Sequence, residues 1–120
     1  FLASHPKIAY VNYSGLPGDT YHAVAEKYLP NGSCGVVSFG VKGGREAAAA
    51  FMGHLKIAAI ETHVADARTC CLHPASSTHR QMNDEQLIAA GVQPDLVRMS
   101  CGLEDKNDLI HDIAQALDQI

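Results

Sequence analysis

No stretch of this sequence is both long and apolar. The longest uncharged run, Tyr28 to Val41, is interrupted by proline and glycines and falls short of the ~20 apolar residues that a membrane-spanning helix needs. The start of the chain lacks a charged segment followed by an apolar core, so no secretory leader is read there. Basic residues do not cluster, and the net charge of -4 with a pI near 5.9 excludes a nucleic-acid binder. The four cysteines, Cys34, Cys70, Cys71 and Cys101, form no CxxC pair and two of them are adjacent. That pattern suits a reducing compartment better than a disulfide framework, and the expected location is the cytoplasm. The first residue is Phe1, not methionine, so the 120 residues are expected to be the tail of a longer protein.

What is present reads as one α/β domain. A chain of this length buries perhaps ~65% of the surface it would expose unfolded, enough for a core without a staple. Turn chemistry divides it. "KIAYVNYSG" (7–15) and "CGVVSFGV" (34–41) are expected strands, "IAAIETHVA" (57–65) a third, "TCCLH" (69–73) a fourth and "DLVRMSC" (95–101) a fifth. Between them fall helices in "TYHAVAEKYL", capped by Asp19, in "REAAAAFMGHL", with Ala47, Phe51 and Leu55 on one face, and in "DEQLIAAG", stopped by Gly91. The last helix begins at Asp105, with Asp108 three residues on, and carries the stripe Leu109, Ile113, Leu117 and Ile120. Loops too short for right-handed crossovers everywhere imply a mixed, mostly antiparallel sheet of four to five strands with helices on one face.

Arg98 sits mid-strand in "LVRMSCGLED". A guanidinium does not lose its proton, so it must reach water, pair with a protein carboxylate or take a ligand's. Asp95 and Glu104 are the local ion-pair candidates. Alternatively, its planar fork suits bidentate capture of an organic or amino acid. "CCLHPASSTH" (70–79) gathers two thiols and two imidazoles, but adjacent strand residues point to opposite faces, which argues against a metal site. "VKGG" lacks either nucleotide-binding spacing and is read as a structural turn. No Ser-His-acid set is recognisable, and no catalytic residue is assigned.

Taken together, "GVVSFGVKGG", "LHPASSTH", "DLVRMSCGLED" and "DLIHDIAQAL" resemble the C-terminal part of the pyridoxal-phosphate enzymes of cysteine and methionine metabolism. "HPKIAYVNYSGLPGDTYHAVAEKYLPNG" looks most like their O-acetylhomoserine sulfhydrylase, or homocysteine synthase, branch. The resemblance implies that residues 1–120 are the small C-terminal domain of a fold-type I enzyme whose large, cofactor-binding domain lies outside this chain. The cofactor-bearing lysine of the family stands in a Ser-x-Thr-Lys context that is absent here, so pyridoxal phosphate is expected on the full-length enzyme and not on this stretch alone, which would be inactive. By the same resemblance Arg98 matches the arginine that binds the substrate's α-carboxylate. His63 and Val64, with Ala65, occupy the turn that makes a second substrate contact, where the family more often has serine or asparagine and then glycine. The implied reaction makes homocysteine from O-acetyl-L-homoserine and sulfide or a thiol, in a homotetramer, with no nucleic-acid or membrane partner. The alternatives are a cystathionine or methionine γ-lyase and a cofactor-free small-molecule binding domain.

Overall fold

The computed structural model describes all 120 residues. Five strands, β1 (Ile8–Asn12), β2 (Val36–Val41), β3 (Ala59–Ile60), β4 (Cys70–Leu72) and β5 (Leu96–Ser100), form one sheet in the order β1-β2-β5-β4-β3. Every pairing is antiparallel except β3 with β4. Four helices join them: α1 (His22–Tyr28), α2 (Gly44–His54), α3 (Asp84–Ala89) and α4 (Lys106–Asp118). None is long and apolar enough to cross a membrane. The α/β class and the mostly antiparallel sheet agree with the sequence reading.

Alternation along the strands makes two unlike faces. Phe39, Val41, Val97, Met99 and Cys71 point one way and are at most 2% exposed. Phe39 opposes Val97 and Cys71 opposes Met99, so these side chains form one layer. Against it pack Ala48, Phe51 and Met52 of α2 and Ile113, Ala116 and Leu117 of α4. The Phe39 and Phe51 rings meet edge to face at 5.8 Å. Each large side chain so buried contributes roughly 1.5–3 kcal/mol. Helix α1 buries only Ala25. The opposite face carries Asn12, Ser38, Leu72 and Arg98, which are cross-strand partners in one row.

Asp112 of α4 ties a loop to this core. Its carboxylate accepts from the backbone N–H groups of Lys56, Ile57 and Ala58 at 2.8, 2.9 and 3.0 Å. Burial pushes its pKa up, but those three donors with Gln115 hold it below the usual carboxylate range.

Several boundaries differ from expectation. The third strand shrinks to Ala59–Ile60, because its parallel partner β4 is three residues long and offers no further ladder. Residues 61–68 beyond it are exposed, and Ala65 adopts φ 57°. The second strand starts at Val36, not Cys34. Asp19 does not cap α1, whose N-cap is Tyr21; it closes the preceding turn by accepting from Tyr13 and Tyr21 N–H groups at 3.1 and 2.8 Å. Asp105 does cap α4, through the Asn107 N–H, without a reciprocal bond from Asp108. The reciprocal capping box is at α3, between Asn83 and Gln86.

Candidate functional site

Arg98 stands in the middle of β5, between Ser38 of β2 and Leu72 of β4. Its side chain lines an open cavity of about 520 Å³ on the sheet face away from α2 and α4. The sheet contributes Asn12 and Ser38 to the cavity, and the chain after β4 contributes Pro74, Thr78 and His79. No aspartate, glutamate or lysine lines it.

The guanidinium is largely uncommitted. Nη2 donates to the Thr62 carbonyl at 2.7 Å. Nε is enclosed and has no partner. None of the contacts within ion-pair distance, His22–Glu26, Arg45–Asp84 and His63–Glu61, involves Arg98. A buried donor without a partner costs about 1–3 kcal/mol. An arginine held in this state beside a cavity free of acids can take an anion in its fork.

Both acids that could have neutralised Arg98 are engaged elsewhere. Asp95 accepts from the Tyr10 hydroxyl at 3.2 Å, and burial with that charge beside it raises the Tyr10 pKa. Glu104 accepts from Thr69 N–H at 2.8 Å and from Thr69 Oγ1 at 2.7 Å. Those bonds hold the Glu104 carboxyl below its usual range. Thr69 Oγ1 in turn accepts from Gly102 N–H at 2.8 Å, so the end of β5 is stitched to the start of β4. Gly102 is required there, because a Cβ would strike the Ala67 carbonyl oxygen and the Arg68 backbone.

The loop that walls the cavity is braced from behind. Buried His73 holds the Pro94 carbonyl through Nε2 at 2.8 Å and Ser76 Oγ through Nδ1 at 2.9 Å. Burial pulls its pKa down against the opposing effect of the Pro94 bond. Arg45 of α2 reaches Asp84 Oδ1, the Ala75 carbonyl at 2.6 Å and the Met82 carbonyl at 3.0 Å. Sequence reading missed this brace, because an arginine near a helix start carries no signal of three distant acceptors. It missed Asn12 and Ser38 because they join Arg98 only through the register of β1, β2 and β5.

His63 and Val64 lie in the exposed loop 61–68 and do not line the Arg98 cavity. His63 Nδ1 is 2.7 Å from Glu61 Oε2. Thr62, one residue earlier, is the one that meets Arg98. The Ala65 N–H donates to Ser100 Oγ at 2.9 Å and fastens the loop to β5. Cys70 and Cys71 are buried, and burial pushes the Cys71 thiol up to about 12. No group of three His, Cys, Asp or Glu side chains is placed to hold a metal ion.

Residues 1–118 match the family model described as Cys/Met metabolism PLP-dependent enzyme. The chain belongs to that family. Among Cys/Met metabolism PLP-dependent enzymes it is 44% identical over 118 residues to the homocysteine synthase of Schizosaccharomyces pombe, covering 98% of this chain and 28% of that protein. It is also 44% identical over 117 residues to O-acetyl-L-homoserine sulfhydrylase 1 of Thermus thermophilus, with the same two coverages. A crystal structure of a provisionally named O-acetylhomoserine (thiol)-lyase of Campylobacter jejuni, bearing N'-pyridoxyl-lysine-5'-monophosphate, superposes with a TM-score of 0.87. It is 36% identical, and the match covers 98% of this chain and 28% of that one. The chain thus spans about 28% of the length of these relatives.

The residues present do not fit a covalent pyridoxal phosphate site. Lys7 Nζ is spent on the Leu117 and Ile120 carbonyls at 2.8 and 2.5 Å, and Lys42 Nζ on the Pro6 carbonyl at 2.7 Å. Lys27, Lys56 and Lys106 are exposed and none borders the Arg98 cavity.

Proposed function

We propose that this chain is the C-terminal, substrate-binding domain of a PLP-dependent O-acetylhomoserine sulfhydrylase, and that Arg98 grips the α-carboxylate of O-acetyl-L-homoserine. The observation that carries this reading is a guanidinium that no carboxylate neutralises, on a side chain that lines a cavity without acids. Its supporting likeness is to the homocysteine synthase and sulfhydrylase relatives over almost the whole chain. An L-methionine γ-lyase of Fusobacterium nucleatum is 39% identical over 120 residues, and a γ-lyase would use the same grip.

In this reading the chain contributes binding and orientation. Two parallel N–H···O bonds fix a carboxylate in plane and in rotation, where an ammonium ion would fix only its distance. Holding that end of the substrate sets the direction of the bonds at the neighbouring carbon relative to whatever reacts with them, which is a positional contribution to rate. Pyridoxal phosphate, held outside this stretch, supplies the electron sink for such chemistry. The remainder of the enzyme would close the cavity, so the 120 residues alone should show little turnover.

Kinetics of the full-length enzyme test this reading. Arg98→Ala should raise KM for O-acetyl-L-homoserine about 100-fold, the loss of two charge-assisted bonds, with the yellow colour of bound pyridoxal phosphate retained. Arg98→Lys should recover only part, since a point charge does not replace the fork. An unchanged KM in Arg98→Ala rejects the reading. Tight carboxylate binding by the 120 residues alone would favour a stand-alone binding domain.

A further inference from the structure

The grip assigned to Arg98 leaves two of its neighbours without a task. Asn12, Ser38 and Arg98 are successive cross-strand partners on β1, β2 and β5. Directly opposed residues of antiparallel strands share a face, with Cβ atoms about 4.5–5.5 Å apart. The three polar side chains therefore stand in file across the sheet, and all three line the cavity.

The hydrogen bond inside the file has a direction. Asn12 Nδ2 donates to Ser38 Oγ at 3.3 Å. That bond fills an acceptor position on the hydroxyl and leaves its own proton free, because no other group of the protein receives it. An O–H donor thus stands on the strand beside that of Arg98, on the wall of the same cavity, which contains no acid to consume it. A carboxylate has about four acceptor positions, and an arginine fork fills two.

We propose that Ser38 is a further binding residue for the ligand carboxylate, donating its hydroxyl to an oxygen that Arg98 holds, and that Asn12 is a positioning residue that keeps this hydroxyl in donor orientation. The inference rests on the reading of Arg98 given above. The site is then a three-donor pocket for the acid end of an amino acid. No carboxylate lines it to pair with the ammonium end.

The test uses the full-length enzyme, with KM and kcat for the amino-acid substrate, KM for sulfide and the thermal midpoint measured on each variant. Ser38→Ala should raise KM for the amino acid about tenfold, the worth of one hydrogen bond to a charged group. KM for sulfide and the thermal midpoint should stay where they were. Ser38→Thr, which keeps the hydroxyl, should restore KM. Asn12→Asp should weaken binding beyond Ser38→Ala, because its carboxylate accepts the hydroxyl proton and places a like charge beside the ligand. An unchanged amino-acid KM in Ser38→Ala, or a Thr variant that behaves as Ala, overturns the inference. If Arg98→Ala loses the substrate while Ser38→Ala does not, the Ser38 assignment fails and the Arg98 reading stands. If Arg98→Ala also keeps it, both fail.

Discussion

Arg98 Nη2 lies 2.7 Å from the carbonyl oxygen of Thr62, so this guanidinium is steered by a neutral backbone group instead of being discharged on an acid. The distinction matters energetically. A buried ion pair with Asp95 or Glu104 would have neutralised the charge and left little for a ligand to gain. A single carbonyl orients the fork and leaves its charge intact. Asp95 is kept away by Tyr10, and Glu104 by Thr69. The space that lets Tyr10 lie across the sheet depends on Gly40, where a Cβ would strike the tyrosine ring.

Removing Arg45 should loosen the cavity wall without touching the cavity. Its guanidinium holds the Ala75 and Met82 carbonyls and Asp84. Arg45→Ala should accelerate amide hydrogen exchange across residues 77–83 by about tenfold or more, from loss of charge-assisted bonds of ~1.5–3 kcal/mol. Arg45→Lys should recover little, since one ammonium does not span three separated acceptors. Unaltered exchange in Arg45→Ala would show that the loop is held by other means.

Asp112 should be among the most sensitive positions of the chain. Truncation to alanine leaves three backbone donors at 56–58 without their acceptor, a loss of about 3 kcal/mol or more. Urea denaturation reads this directly, and Asp112→Asn, which keeps one oxygen, should lie between the two. A loss under ~1 kcal/mol would mean that water replaces the carboxylate readily.

Stability should fall in two separate steps as pH is lowered. The folded pKa of His73 is depressed, so its contribution is full above the unfolded value of about 6.5 and declines as pH drops from there through the folded value. Glu104 and Asp112 are depressed as well. Their contributions are full above the ordinary carboxylate values of about 4 and are lost as pH falls further. Urea midpoints followed from pH 8 to pH 3, roughly the span of those values, should show the upper step vanish in His73→Gln and the lower one shrink in Asp112→Asn. A wild-type midpoint flat from neutrality to the carboxylate range would contradict the His73 assignment.

Ala65 carries a left-handed backbone conformation, φ 57°, which for a residue with a Cβ costs roughly 1–2 kcal/mol. Ala65→Gly should relieve that strain, and part of the gain is offset by the greater freedom of glycine in the unfolded chain. The expected net change is a stabilisation of under about 1 kcal/mol. A destabilised glycine variant would show that the methyl group has a packing role in the loop.

The sequence disclosed the frame well, because buried strands and an amphipathic last helix write their period into the chain. The runs around Phe39 and Val97 were visible as β-forming segments bounded by turns, and the stripe from Leu109 to Leu117 as helical spacing. It overstated β3 for a physical reason. Residues 57–65 have a strand-like composition, but a strand extends only as far as its partner, and β4 stops after Leu72. Arg98 stood out because a fixed cation in an apolar strand demands a partner. What that partner would be was not legible, since the capture of Glu104 by Thr69, 35 residues away, is a tertiary event. The Asn12 and Ser38 file was equally hidden: it exists only once β1, β2 and β5 are in register.

The most direct test is a structure of the full-length enzyme with an amino-acid substrate analogue bound. One carboxylate should be seated on Arg98, with its oxygens about 2.7–2.9 Å from nitrogens of the guanidinium. A carboxylate bound elsewhere, with Arg98 still turned only to the Thr62 carbonyl, would contradict it.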